Sequence, residues 1–295
     1  MKNILIIGAN GFTGRRILND LSVNPIYHVT GCSLRDDICP GKDYRFVRTD
    51  IRDENEVRKL FKECRPDIVI NTSALSVPDY CETHHTEAEA TNVTAVETIA
   101  HVCEQYGSRF IHLSTDFVFD GKSTRLYKED EAIPVNYYGV TKLKAEKIIA
   151  SICSNYAIVR VVVVYGKALP GQHGNILQLV ANRLRNGETI RVVSDQWRTP
   201  TFVGDISVGV EKLMFHTANG IYHICGSECL TIAEIAYRVA DFLKLDRSLI
   251  EPVTTEEMKE VTPRPRFSGL SIEKAKAEIG YTPRTLEEGM EASLF

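Results

Sequence analysis

A tyrosine and a lysine four residues apart, Tyr138-Gly139-Val140-Thr141-Lys142, carry the residue types of a proton-transfer site. On a helix this spacing sets phenol and ammonium on one face, where both can touch the same bound molecule. A neighbouring ammonium favours the tyrosinate, so the Tyr138 pKa is expected to fall from its ordinary value of about 10. Tyr138 is then a usable proton donor or acceptor, and Lys142 can in addition hydrogen-bond a ribose. With 12 tyrosines in the chain the spacing alone says little; its place is the informative part. It lies just after Pro134, on a helix that follows a strand ending Leu113-Ser114-Thr115-Asp116. The strand end and the helix can flank one crevice, where the Thr115 hydroxyl shares a substrate oxygen with Tyr138 in the manner of an oxyanion donor.

A second chemical feature lies at the start of the chain. Gly8-Ala9-Asn10-Gly11-Phe12-Thr13-Gly14 follows the apolar run Ile4-Leu5-Ile6-Ile7 and opens an amphipathic pattern. Glycine permits a tight turn and close approach to a pyrophosphate, while a helix N-terminus supplies free N–H groups and positive dipole. The second glycine comes one place later than in the simplest dinucleotide fingerprint, so the loop by itself is also compatible with an ordinary strand-to-helix turn. At the end of the second strand, where a carboxylate would hold a ribose 2′-hydroxyl, the sequence reads Thr30-Gly31-Cys32-Ser33-Leu34-Arg35. Ser33 and Arg35 are suited to a 2′-phosphate, which points to NADP(H) over NAD(H). In the competing reading Arg35 is a solvated loop charge and Asp36 or Asp37 reads the ribose.

These residues must be held by a scaffold, and the first half of the chain alternates strand and helix patterns. Strands are expected at Asn3 to Gly8, His28 to Ser33, Arg45 to Arg48, Ile68 to Asn71, Phe110 to Ser114 and Ala157 to Val164. Helices are expected at Phe12 to Leu21, Glu54 to Cys64, Glu87 to Tyr106 and Tyr138 to Ser154. The alternation predicts an α/β fold with a parallel, doubly wound sheet. Ile68-Val69-Ile70 and Val161 to Val164 lack polar alternation, as strands buried under helices on both faces do. After Tyr165 the texture turns to glycine, proline and long connections, with helices near Ile176 to Arg185, Asp205 to Phe215, Ile232 to Leu243 and Ile272 to Ile279. The expected division is a nucleotide-binding domain over 1–165 and a smaller, mainly substrate-binding lobe over 166–295, with segments near 200–225 returning to the sheet.

The chain has 295 residues, 35 Lys and Arg against 39 Asp and Glu, and a net charge of −4. No basic run of the kind that tracks a nucleic-acid backbone occurs, and no apolar stretch approaches a membrane span. The eight cysteines are scattered without a Cys-x-x-Cys pair, as reduced thiols of a cytoplasmic protein would be. His84-His85 reads as first-turn polarity, Cys225 and Cys229 as packing, and Trp197 as a pocket wall or an exposed loop ring, none with a chemical role.

Gly8-x-x-Gly11-x-x-Gly14, Ser114-Thr115-Asp116, Tyr138-x-x-x-Lys142 and Arg160 together resemble an extended short-chain dehydrogenase/reductase. More narrowly, Ser114 to Gly121, Tyr138-Gly139-x-Thr141-Lys142-Leu143-x-x-Glu146, Asp195-Gln196-x-x-x-Pro200-Thr201 and Arg264-Pro265-x-x-Ser268-x-Leu270 resemble the dTDP-4-dehydrorhamnose reductase family, nearly end to end. The resemblance implies a Rossmann domain with a small C-terminal lobe and NADPH-dependent reduction of the 4-keto group of a dTDP-linked deoxy sugar, a step of dTDP-rhamnose and cell-surface polysaccharide biosynthesis. It makes Thr115, Tyr138 and Lys142 the expected catalytic residues. Cofactor contacts are expected from Gly8, Asn10, Gly11, Phe12, Gly14, Ser33, Arg35, Asp50, Ile51, Ser73, Ala74, Leu75, Asn92 and Ser114, besides Tyr138 and Lys142. Sugar-nucleotide contacts are expected from Ser76, Val77, Asp116, Phe117, Val163, Asn175, Gln196, Thr201 and Arg264, besides Thr115 and Tyr138. Val163 stands where the family often has an aromatic residue, which implies a wider sugar pocket. Some members use magnesium with acidic residues at a dimer interface; no ligand set is assigned here, and both monomer and homodimer are compatible with the sequence.

A 4,6-dehydratase of the same superfamily needs a further acid, commonly a Glu after the Thr-Asp pair, and Phe117 cannot protonate a leaving hydroxyl. A 4-epimerase shares the acid-base pair and is separated by cofactor behaviour, since it consumes no NADPH. The rival from another class is a regulatory subunit that binds the nucleotide without turnover: the methionine adenosyltransferase beta subunit is similar across the same motifs, including a segment like Gly31-Cys32-Ser33-Leu34-Arg35.

Overall fold

The computed structural model describes all residues except 41, 42, 130, 131, 173, 294 and 295. From the N-terminus run β1 (Lys2–Ile7), α1 (Phe12–Ser22), β2 (Tyr27–Ser33), β3 (Arg45–Arg48), α2 (Glu54–Cys64) and β4 (Ile68–Asn71), followed by short helices α3 (Pro78–Thr83) and α4 (His85–Glu89). Then come α5 (Ala95–Tyr106), β5 (Arg109–Thr115), α6 (Tyr137–Ile152), β6 (Tyr156–Val161) and β7 (Val164–Tyr165). The second half adds α7 (Ile176–Arg185), β8 (Ile190–Val193), β9 (Trp197–Arg198), β10 (Thr201–Phe202), α8 (Val203–Phe215), β11 (Gly220–His223) and β12 (Leu230–Thr231). It ends with α9 (Ile232–Leu243), β13 (Ile250–Val253), α10 (Thr255–Met258), α11 (Glu273–Ile279) and α12 (Leu286–Ser293).

Seven strands form one sheet in the order β11-β6-β5-β4-β1-β2-β3, and every pairing in it is parallel. This is the doubly wound Rossmann arrangement. The strand order reverses between β1 and β4, and the loops leaving those two strands open the crevice in which such sheets bind ligands. Alternate side chains of the sheet feed two cores. Ile4, Ile6, Ile70, Ile111 and Val159 pack with Ile17, Leu18 and Leu21 of α1 and Val210 and Leu213 of α8. Leu5, Ile7, Val69, Phe110 and Ile158 pack on the other face with Phe61 of α2, Ile99 of α5 and Ile149 of α6. Each such side chain, fully removed from water, stabilises the fold by about 1.5–3 kcal/mol, and β4 is accordingly apolar at Ile68, Val69 and Ile70, while β5, buried along its whole length, also carries Arg109, His112, Ser114 and Thr115.

A third core joins Leu177, Val180 and Leu184 of α7 to Ile235 and Val239 of α9, Val192 of β8 and Met290 of α12. The chain after Tyr165 also returns to the main sheet: β11 pairs with β6, and α8 packs beside α1. Among the described residues no helix is long and apolar enough to cross a membrane.

Two elements differ from the sequence expectation. The run Ala157 to Val164 is not one strand. It leaves the sheet after Val161, turns at Val163 with φ +37°, and resumes at Val164–Tyr165 in parallel pairing with Thr201–Phe202. Apolar continuity signalled burial but not the change of partner. A β-branched residue at positive φ is costly, and the turn carries Val163 to the rim of the crevice. The helix expected over Glu87 to Tyr106 is interrupted by a π-helical turn at Ala90–Thr94, which contains the buried Asn92. Sequence periodicity cannot see one extra residue in a turn.

Candidate active site

The glycine loop is built by contact. Gly8 has φ +81°, and a Cβ there would lie 2.7 Å from the Ser73 backbone nitrogen. A Cβ on Gly14 would lie 2.3 Å from the Gly8 carbonyl oxygen. The backbone N–H groups of Gly8 and Ala9 donate to Cys32 O at 3.0 and 2.9 Å, tying the loop to β2. Helix α1 begins at a glycine N-cap with no side chain to satisfy its first-turn N–H groups. Unsatisfied donors on a helix N-terminus with no side chain above them fit a pyrophosphate.

The loop floors a cleft of about 890 Å³ that runs from Ser33, Asp50 and Arg52 past Gly8 to Gly14, over Ser73 to Val77, to Thr115, Tyr138, Lys142 and Arg264. Asp50 and Ile51 border one end, and Ala74, Leu75, Ser76, Ser114, Asp116, Phe117 and Val163 border the other. The expected site residues are thus largely brought together. Gln172, which the sequence reading did not single out, also lines the cleft; its side-chain amide donates to Asn10 O at 3.0 Å and Gly11 O at 3.2 Å. A lone glutamine in a glycine-rich connection carries no sequence signal for this role.

Tyr138 and Lys142 sit on α6, whose start is set by Asn136: its side chain accepts from Gly139 N at 2.9 Å and donates to Pro263 O at 2.9 Å. Asn136 is not among the expected site residues, although Asn is a preferred N-cap type. Thr115 ends β5; its hydroxyl accepts from Phe117 N at 3.2 Å, donates to Asp116 Oδ1 at 3.2 Å and also contacts the Tyr138 phenol. The Phe117 ring meets the Tyr138 ring edge-on, with centroids 6.0 Å apart. Asp116 is buried against Arg198, 3.6 Å away, and accepts a hydrogen bond from Ser268; burial pushes its carboxyl above the usual range.

The electrostatics depart from expectation. Burial, reinforced by the Asp116 charge, pushes the Tyr138 phenol up rather than down. Lys142 is 2% exposed, and burial draws its pKa down to about 8, opposed by Glu146. Its Nζ donates to Leu113 O at 2.7 Å and lies 2.9 Å from His112 Nε2. In this interior, desolvation outweighs the attraction between the two groups on which the spacing argument relied. Behind Ser114, Glu146 accepts from the Ser114 hydroxyl at 2.5 Å and from Arg160 at 2.6 and 3.0 Å.

Five expected contact residues face elsewhere. The Arg35 side chain is exposed outside the cleft lining, and its carbonyl accepts from Asn10 Nδ2 at 3.2 Å. Asn92 anchors the loop after β4 from behind, accepting from Leu75 N at 2.8 Å and donating to Leu75 O at 3.0 Å. Asn175 caps α7 in a capping box with Gln178. Gln196 is buried among Thr255, Glu260 and Arg198. The Thr201 hydroxyl donates to Val162 O at 2.6 Å, fastening β10 beneath the turn at Val163. Of the carboxylates offered as ribose readers, Asp37 is committed to Arg15, 2.5 Å away and 2% exposed. Among the described residues no cluster of three or more His, Cys, Asp or Glu side chains is placed to hold a metal ion.

Comparison with known proteins agrees with this geometry. The chain is 30% identical over 291 residues to the "Probable low-salt glycan biosynthesis reductase Agl14" of Haloferax volcanii, covering 97% of this chain and 95% of that protein. It is 30% identical over 289 residues to methionine adenosyltransferase 2 subunit beta of Xenopus laevis, covering 96% and 84%. The crystal structure of dTDP-4-dehydrorhamnose reductase from Bacillus anthracis in complex with NADP superposes with a TM-score of 0.87 at 26% identity, covering 100% of this chain and 99% of that one. The model of one family, described as RmlD substrate binding domain, matches residues 1–294, and the chain belongs to that family.

Proposed function

We propose that the protein is an NADPH-dependent reductase of the 4-keto group of a nucleotide-linked deoxy sugar, with dTDP-4-dehydrorhamnose as substrate and dTDP-L-rhamnose as product. The observation that carries this reading is the convergence of Thr115, Tyr138 and Lys142 on the cleft floored by the glycine loop. The uncapped N-terminus of α1 would hold the pyrophosphate, and Ser33 at the end of β2 the adenosine ribose phosphate. When bound, the nicotinamide supplies the hydride to the ketone carbon.

The protein's own residues manage the other half of the reaction. Tyr138, held protonated by burial, is set up as the general acid that gives its proton to the carbonyl oxygen. The Thr115 hydroxyl, already in contact with the phenol, would turn its one proton from Asp116 Oδ1 to that same oxygen. Arg264, which lines the cleft, would meet the diphosphate of the sugar nucleotide. The test is NADPH oxidation with dTDP-4-dehydro-6-deoxy-L-mannose. Stoichiometric oxidation supports the reductase; interconversion of sugars without net NADPH loss would make the protein an epimerase.

The similarity to a methionine adenosyltransferase beta subunit over 96% of this chain favours one second reading, a nucleotide-binding subunit without turnover. Tight NADPH binding with no oxidation across a panel of nucleotide 4-keto sugars would select it.

A further inference from the structure

Lys142 ends a line of buried groups whose hydrogen-bond polarity is fixed at the far end. The line begins in the loop after β4, where the Ser73 backbone N–H donates to Asn71 Oδ1 at 3.0 Å and the Ser73 hydroxyl donates to the same oxygen at 2.6 Å. A backbone N–H cannot accept, so the oxygen of the Asn71 amide, not its nitrogen, must face Ser73. The amide nitrogen Nδ2 is then 3.2 Å from His112 Nδ1. Since Nδ2 only donates, Nδ1 must present a lone pair, and a neutral imidazole with a bare Nδ1 carries its proton on Nε2. Nε2 lies 2.9 Å from Lys142 Nζ, where its N–H needs an acceptor. An ammonium has none. A neutral amine has one lone pair for His112 and keeps an N–H for Leu113 O, 2.7 Å away.

We infer that His112 is a positioning residue whose ring polarity, set through Asn71 by the Ser73 backbone, holds Lys142 as a neutral amine in the ligand-free protein at mildly alkaline pH. Asn71 and His112 are fully buried, so bulk water does not compete for the contact between them. The titratable and charged groups around Lys142 are His112 on β5, Tyr138 and Glu146 on its own helix, Arg160 on β6 beyond Glu146, and Asp116 beyond Tyr138. Burial depresses both Lys142 and His112, which brings the neutral amine within reach and keeps the ring uncharged. Protonating Lys142 and reversing the line are therefore one event: an ammonium requires the Nδ1–H tautomer of His112 and loss of its bond from Asn71. The inference concerns the ligand-free protein and is read without substrate, so it fails or stands apart from the proposed reaction.

The test is nitrogen-15 NMR of histidine-labelled, ligand-free protein at mildly alkaline pH. A bare Nδ1 with protonated Nε2 on His112 is expected; protonated Nδ1 there overturns the inference. The isosteric substitution Asn71→Asp supplies the decisive contrast, because a carboxylate oxygen beside Nδ1 demands an N–H from it. The His112 tautomer should reverse, and the proton affinity of Lys142 should rise about tenfold or more, read as the pH midpoint of its acylation by a small amine-reactive reagent. A shifted lysine midpoint with an unreversed tautomer is a bare charge effect and also overturns the inference. If the variant does not fold, the wild-type tautomer decides.

Discussion

Gly139 in the first turn of α6 is pressed against the carbonyl oxygen of Phe117: a Cβ at position 139 would stand 2.0 Å from that oxygen and 2.9 Å from Pro134 Cβ. The contact joins the turn that carries Thr115 to the helix that carries Tyr138, and only a glycine permits it. The obstacle is backbone, which cannot swing aside as a side chain can. Gly139→Ala should therefore separate the two elements, costing about 1–3 kcal/mol of stability and at least about tenfold in turnover. Urea denaturation and steady-state NADPH oxidation measure both. Wild-type stability with wild-type turnover would show that the two elements tolerate displacement.

Tyr138→Phe removes the proton and little else, since the ring stays packed against Phe117. Turnover should fall by a factor on the order of 100 or more, while NADPH affinity, followed by fluorescence titration, stays within about twofold. An unchanged turnover number would take Tyr138 out of the mechanism.

The strands and helices of the sheet were readable because the central strands are buried on both faces and the helices show an apolar stripe, as β4 and α1 do. The glycine loop and the Tyr138–Lys142 pair were readable because their spacing is local. What escaped depends on contacts across the chain. Gln172 reaches the Asn10 and Gly11 carbonyls from 161 or more residues away, and β13, whose Glu251 and Pro252 interrupt its apolar pattern, is a strand only beside its partner β8. Asn175, Gln196 and Thr201 are polar residues in the right region whose hydrogen-bonding capacity the fold itself consumes. Residue type alone cannot tell a ligand contact from an internal one. The Tyr138 pKa moves opposite to the expected direction because spacing conveys the neighbouring charge but not the burial that overrides it.

Ser33 lines the cleft at the end of β2, and the adjacent Asp37 is held by Arg15. No described carboxylate lines the cleft on this strand end, which is the physical basis for expecting NADP(H). Ser33→Asp should place a negative charge against a 2′-phosphate and a hydrogen-bond acceptor beside a 2′-hydroxyl. The ratio of the KM for NADPH to that for NADH should rise by at least about tenfold. A wild-type preference for NADH would remove the basis of this prediction before the variant is made.

His223 on β11 is fully buried, 3.1 Å from Ser271 O through Nδ1, and burial, aided by the Arg160 charge, holds its pKa down at about 3 against an ordinary 6.5. Unfolded, the ring takes up a proton as the pH falls below about 6.5; folded, it does not until far lower. The folded state therefore keeps its full advantage above that value and loses it as the pH drops toward 3, by up to about 1.4 kcal/mol per pH unit. His112, also buried and depressed, adds a loss of the same sign. Between pH 6.5 and 5, before most carboxylates titrate, two buried histidines should thus dominate the acid destabilisation. His223→Gln keeps a neutral hydrogen-bonding side chain and removes one titration, so the slope of unfolding free energy against pH in that window should fall by about one proton's worth. Urea denaturation at half-unit pH steps on both proteins measures it, and parallel slopes would mean that His223 titrates alike in the folded and unfolded chains.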